Sequence, residues 1–424
     1  MSAGLLTIFF VTRFLSAELQ GYYYTFYSLI ALQIFVELGL TFAIIQFASH
    51  EMAKLSWTPE GVLSGSPESK RRLQSLMRFA VTWFGVAGLL MTLLLLPVGV
   101  HFFEAAAPGG ASDQDVRGPW ILLVIFTAAG LIVIAATAVL EGCGKVAEMA
   151  VLRLWQSVFS VAAAWIVLSL DGGLYALAAS SFMIVLVGIT RLWVKHGIFF
   201  RDIFRYSTQL PGMNWRREIW PFQWRIAISC CSGFFISQLF SPLLFATHGP
   251  VVAGQMGMSL QIINAINGAA LVWITTKAPT YGKLIASKQT GALDAMFFRG
   301  LAQSFFFLLI AVISFFLIFI YLVFAESPYV NRILSPYPLA ILCIVCLANH
   351  LVCSEAAYLR AHKQEPFMVL SIINGLVTAI LALLLIPPLG VIGAVYSYAA
   401  TALLIGLGGG TFVFIQKRKI WVRR

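Results

Sequence analysis

The chain has 424 residues, of which 60% are apolar and only 11% charged, and its mean hydropathy is +0.89. A soluble domain carries about 25% charged residues. No globular interior takes up this much apolar surface, so a soluble enzyme, a disordered chain and a disulfide-stapled secreted domain are excluded. Lys and Arg number 28 against 17 Asp and Glu, a formal net charge of +11. A transmembrane β-barrel is excluded as well, since it needs alternating segments of about ten residues, and the apolar runs here are continuous and about twice that length.

A helix needs about 20 apolar residues to cross about 30 Å of hydrocarbon. Twelve runs are read as spans, at 1–15, 22–48, 79–103, 119–140, 149–170, 173–194, 219–245, 253–276, 300–324, 336–359, 367–386 and 391–415. The fold expected is all-α, because lipid offers no partner to open backbone groups. The first run rises only about 22 Å at 1.5 Å per residue and has Arg13 near its end. It is expected to be an incomplete first helix. Tyr22, Tyr23, Tyr24 and Trp120 begin spans on the outer side and read as an aromatic belt.

With the N-terminus in the cytoplasm, the inner loops fall near 49–78, 141–148, 195–218, 277–299, 360–366 and 416–424. They hold 23 Lys and Arg, counting Arg191, whereas the outer loops hold only Arg117 and Arg332. That bias predicts cytoplasmic termini. The tail from Lys417 to Arg424 then reads as a lipid-headgroup anchor, and no nucleic-acid partner is expected.

The two halves repeat in order. Gly21 matches Gly254 at an offset of 233, Leu140 and Met149 match Leu359 and Met368 at 219, and Gly172 and Ala176 match Gly390 and Ala394 at 218. Six spans per half give both halves the same orientation, a parallel repeat. The expected organisation is a six-helix lobe at 1–195, a basic cytoplasmic linker at 196–218, a second six-helix lobe at 219–415 and a basic cytoplasmic tail at 416–424.

Several motifs narrow the class. Thr12-Arg13-Phe14-Leu15-Ser16-Ala17-Glu18-Leu19-Gln20-Gly21-Tyr22-Tyr23 resembles the first outer turn of the polysaccharide and O-antigen flippases. These form the Wzx-like branch of the multidrug/oligosaccharidyl-lipid/polysaccharide exporter superfamily. Glu37-Leu38-Gly39-Leu40 resembles that family's second-helix element, and Trp220-Pro221-Phe222 the start of its seventh helix. Asn374 and the stretch Ile386-Pro387-Pro388-Leu389-Gly390-Val391-Ile392-Gly393-Ala394 resemble its eleventh-to-twelfth hairpin. The resemblance implies a flippase that carries a polyprenyl-pyrophosphate-linked oligosaccharide to the outer leaflet of a bacterial inner membrane by alternating access. Polysaccharide polymerase and other assembly proteins would be partners alongside membrane lipid. A multidrug cation antiporter of the same superfamily is the alternative, with a polytopic enzyme of polysaccharide assembly behind it.

Candidate residues follow from polarity inside apolar runs. Arg13 and Arg225 could fork a pyrophosphate, and Ser229 and Ser232 extend the Arg225 face at i+4 and i+7. Asn264 and Asn267, with Gln261, are candidates for sugar hydroxyls or for helix–helix hydrogen bonds. Glu37, flanked by Gln33 and Thr41 on one face, and Glu355 are candidate coupling carboxylates. Cys346, His350 and Cys353 share a face and read as a polar seam, because one helix supplies too few ligands for a metal. Asp113-Gln114-Asp115 reads as a solvated loop, and Gly408-Gly409-Gly410 as a close helix contact. The six cysteines show neither a disulfide nor a zinc pattern. With no phosphate-cradling loop either, no cofactor, metal or catalytic residue is expected.

Overall fold

The computed structural model describes residues 2–106, 116–206, 211–362 and 366–422. In chain order the helices are α1 (Ser2–Phe14), α2 (Ala17–Ile30), α3 (Ile34–Glu37), α4 (Leu40–Met52), α5 (Pro67–Ala106), α6 (Arg117–Gly142), α7 (Val146–Ser169), α8 (Tyr175–Arg205), α9 (Trp220–Ser237) and α10 (Phe240–His248). There follow α11 (Pro250–Thr275), α12 (Ala278–Ala286), α13 (Thr290–Phe324), α14 (Pro336–Ala361), α15 (Met368–Leu389), α16 (Val391–Ala400) and α17 (Gly410–Val422). One hairpin, β1 (Leu55–Trp57) and β2 (Leu63–Gly65), lies between α4 and α5.

Among the described residues ten helices are long and apolar enough to cross a membrane, or eleven if the bent pair Ala17–Glu37 and Leu40–Met52 is one span. The first of the twelve expected runs is a 13-residue helix, about 20 Å long, and is not among them. The bent pair turns by 44°. Its cause is local: Leu38 (φ 50°) and Gly39 (φ 63°) both adopt the left-handed region, which ends one helix and starts the next. The Glu37-Leu38-Gly39-Leu40 motif is therefore a helix break. A second break, at Gln238 and Leu239, separates α9 from α10. Segments 215–219 and 401–409 are wound as π-helix, a widening that recurs at functional positions.

The chain forms two compact units, residues 29–231 and a split unit of 1–28 with 232–424. In the 29–231 unit, α6 packs against α4, α5 and α8, and α7 lies on α8. The hairpin closes the end that carries the basic loops, the basic end. There the Trp57 indole N–H donates to the Cys143 carbonyl at 2.9 Å, with the Lys145 ammonium 4.7 Å from its ring centre. Arg72 joins Glu51 (2.7 Å) to Glu218 (2.5 Å), so the stretch before α9 is tied to α4 and α5.

In the split unit α11 is central, against α1, α10, α13 and α14. It crosses α2 closely, because glycine leaves room. A Cβ on Gly21 would lie 1.9 Å from the Pro250 carbonyl oxygen, one on Gly254 2.9 Å from the Gly21 nitrogen, and one on Gly257 2.4 Å from Tyr24 Cβ. Gly21 and Gly254, matched in the sequence repeat, thus meet each other. The Gln20 amide donates to the Gly254 and Arg332 carbonyls (3.0 and 2.9 Å), and Arg332 donates to the Leu15 carbonyl at the end of α1 (2.7 Å). At the basic end, Asp294 accepts from Arg418 (2.7 Å) and from the Tyr358 hydroxyl (2.8 Å), while His362 stacks on Trp421 at 3.9 Å. These contacts hold α17 to α13 and α14.

The aromatic-belt expectation is corrected. Tyr22, Tyr23, Tyr24 and Trp120 are buried. The glycine crossing draws α2 inward, where Tyr22 packs edge-on to Phe245, and Trp120 donates to the Leu95 carbonyl. Outward-facing positions carry residues such as Val194 and Phe324, more than 80% exposed, as expected where the solvent is lipid.

Candidate functional site

The split unit contains a polar pocket of about 250 Å³. From α2 come Tyr23, Tyr24, Tyr27 and Ser28. From the break after α9 and the start of α10 come Ser237, Gln238 and Ser241. From α11 come Gly257, Leu260, Gln261 and Asn264. Each wall has a sequence cause. Gly257 lets the Tyr24 ring lie directly on α11, the helix break presents Gln238, and Gln261 and Asn264 fall about one turn apart on the same face. The Tyr24 hydroxyl donates to Gln261 Oε1 at 2.5 Å, which orients the amide. Among the described residues hydroxyls, amides and aromatic rings line the pocket, and no Asp, Glu, Lys or Arg does. Such a lining offers donors, acceptors and flat apolar faces without charge.

Asn267 lies one turn further along α11 and engages a different network. The Ser304 hydroxyl donates to the Ala270 carbonyl (2.9 Å) and lies 2.6 Å from His350 Nε2. His350 Nδ1 lies 3.0 Å from Asn267 Oδ1. His350 is fully buried and Cys346 nearly so, in the seam between α11, α13 and α14. Asn264 and Asn267 both border a cleft of about 10 Å³ with Asn349 and Tyr398, room for about one water.

The coupling candidates stand apart. Glu355 on α14 is 7% exposed. One oxygen accepts from the Thr411 hydroxyl at 2.9 Å, and the other is buried without a partner among the described residues, as is Asn374 Oδ1. Glu37, in the 29–231 unit, is half-buried and accepts from Thr41 at 2.6 Å, one turn on across the helix break. Arg13 is exposed in the last turn of α1. Arg225 and Ser229 lie on α9, and their side chains are outside the described residues. Asp113-Gln114-Asp115 also lies outside them. Gly409 packs on Leu370, where a Cβ would come within 2.7 Å. No group of three metal-ligating side chains occurs among the described residues.

Of the expected substrate residues the pocket takes in Asn264, together with its companion Gln261. It adds three tyrosines, two of which the sequence suggested as headgroup anchors, and the Ser237-Gln238 pair. The polarity of that pair inside the apolar run 219–245 was the available signal.

No known protein family profile matches the chain, and no curated protein matches it in sequence. Solved structures do match in fold. An inward-facing multidrug resistance MATE family transporter of the MOP superfamily superposes with a TM-score of 0.64 at 14% identity, over 96% of each chain. The lipid II flippase MurJ, in an inward closed conformation, gives 0.65 at 13% identity, over 99% of this chain and 85% of its own. The MATE multidrug transporter DinF-BH gives 0.65 at 14% identity, over 99% and 92%. The chain has the all-helical, multi-pass fold that these transporters share.

Proposed function

We propose that the chain is a membrane transporter that carries a polyprenyl-pyrophosphate-linked oligosaccharide between leaflets, for assembly of a surface polysaccharide. The observation that carries this reading is the hydroxyl- and amide-lined pocket with its tyrosine walls, which holds no charged side chain among the described residues. Sugars present hydroxyls and flat C–H faces, which such a lining matches. A carboxylate would favour a cation, because moving an unpaired charge out of water is very costly, and none lines the pocket among the described residues. The likeness in fold to a lipid II flippase is consistent with a lipid-linked substrate.

In this reading the lobes 1–195 and 219–415 rock against each other, with both termini in the cytoplasm of a bacterial cell. The pyrophosphate is assigned to Arg225, with Arg13 and Ser229 as further candidates. Glu355, whose second oxygen is buried and unpartnered among the described residues, is assigned to ion coupling, with Glu37 as a second candidate. No bond is made or broken.

The fold neighbours that are multidrug transporters favour one competing reading, export of a cationic drug. Complementation separates the two. Export of glycan in a strain lacking its flippase, lost on Gln261→Leu with protein levels matched, supports the proposal. Failure of the wild-type chain to restore glycan export in any such strain, together with resistance to a cationic dye, would establish the drug reading instead.

A further inference from the structure

The 29–231 unit carries an apolar groove of about 550 Å³ on its surface, within the range of about 300–1,000 Å³ common to ligand sites. Its floor is α6, where Ala129 and Ala136 keep the surface low. Its walls are α5 at Met77 and Val81, and α8 from Ile189 to Arg205. Between those two residues α8 rises about 24 Å at 1.5 Å per residue. Half of the hydrocarbon core is about 15 Å, so a groove of this length can take an acyl chain and still leave its end at the basic loops for a headgroup.

Two guanidiniums stand at its outer end. Arg201 lies 5.3 Å from the centre of the Trp193 ring, which holds it at the groove wall, and Arg205 follows one turn later. Like charges at this spacing repel by about 0.2–0.5 kcal/mol. The acid between them, Asp202, is engaged by Lys70 at 2.8 Å. Arg78 is spent on the Phe204 carbonyl at 2.8 Å. Among the described residues neither Arg201 nor Arg205 forms an ion pair with a carboxylate. A helix C-terminus favours a cation in its last turn, which accounts for Arg205 but not for Arg201 one turn earlier. The pair is matched by a ligand with an apolar tail and an anionic head.

We propose that this groove binds one anionic phospholipid from the leaflet beside the basic loops. An acyl chain lies along Ala129–Ala136, and the phosphate sits on Arg201 and Arg205. A lipid that only wets the protein needs neither a groove that ends at the basic loops nor two guanidiniums held there without a carboxylate.

The full chain, purified in detergent, is offered equal amounts of phosphatidylglycerol and phosphatidylethanolamine, and retained lipid is read by native mass spectrometry. Wild type should keep one phosphatidylglycerol in preference. Arg201→Gln with Arg205→Gln should reduce that preference about tenfold, a loss of about 1.4 kcal/mol. Ala136→Phe, which fills the floor and leaves the charges, should reduce retention too. Arg216→Gln with Arg217→Gln, basic residues outside the groove, should leave it intact. Unchanged retention in either groove variant would overturn the proposal. So would an equal loss in the control pair, which means diffuse charge attraction, or a retained mass that is an isoprenoid pyrophosphate. The readout is binding alone, so it stands or falls separately from transport.

Discussion

The pocket of the split unit and the groove of the 29–231 unit arrange polarity in opposite ways. The pocket sets hydroxyls and amides among aromatic faces and has no charged side chain among the described residues, while the groove is apolar along its length and charged only at one end. In the proposed reading the difference follows from depth. A charge at the bilayer centre costs about 2.5–3.5 kcal/mol on insertion scales, whereas at headgroup depth it is attracted to anionic lipid. A site that must empty and refill inside the membrane is best built from hydroxyls and amides, which leave no bare charge when the ligand departs. A site for a resident lipid can hold its charges where the headgroups already are.

Four substitutions probe this contrast, in order of expected effect. Gly257→Leu should have the largest. Its Cβ would meet Tyr24 Cβ at 2.4 Å, so the ring must leave the pocket wall. Overpacking of this kind costs about 1–3 kcal/mol, and glycan export should fall to background while lipid retention in the groove persists. Parallel loss of both would show that the two sites are not separate. Next is Gln261→Leu, which strands the Tyr24 hydroxyl at a cost of about 1–3 kcal/mol. Export should drop roughly tenfold or more at matched protein level, and unchanged export would remove the pocket from the substrate path.

Arg332→Met removes the donor to the Leu15 carbonyl. A hydrogen bond from a charged group contributes about 1.5–3 kcal/mol, and the lower end applies at a site near water. The melting temperature in detergent should fall by a few degrees, and a fall no larger than that of an exposed control arginine would show that the cap contributes nothing. The smallest effect is expected for Arg418→Gln. Its partner Asp294 is 16% exposed and Arg418 itself 38%. Such part-exposed pairs contribute about 1 kcal/mol or less, to be read as loosened protease protection of α17, with a wild-type cleavage rate as the contrary result.

The fold was legible because lipid imposes long apolar runs, and each expected run after the first falls on helix, though 22–48 and 219–245 are broken within the run. The resemblance motifs were legible in part. Glu37-Leu38-Gly39-Leu40 proved to be a helix break, since left-handed backbone at Leu38 cannot be read from residue type alone. The pocket was mostly hidden. Tyr24 and Gln261 meet across 237 positions of sequence, and only the close glycine crossing turns the tyrosines inward. The groove was hidden for the complementary reason: Arg201 and Arg205 count toward topology in any basic loop, and their relation to Ala129 and Ala136 exists only after α6 and α8 pack.

The central claim, an uncharged sugar pocket serving a lipid-linked oligosaccharide, is tested most directly in proteoliposomes holding the purified chain. A labelled polyprenyl-pyrophosphate oligosaccharide and a cationic dye are followed in the same vesicles. The account predicts that the labelled glycan reaches the opposite leaflet, that Gln261→Leu slows it roughly tenfold or more, and that the dye stays where it was added. Movement of the dye with no movement of the glycan would contradict it.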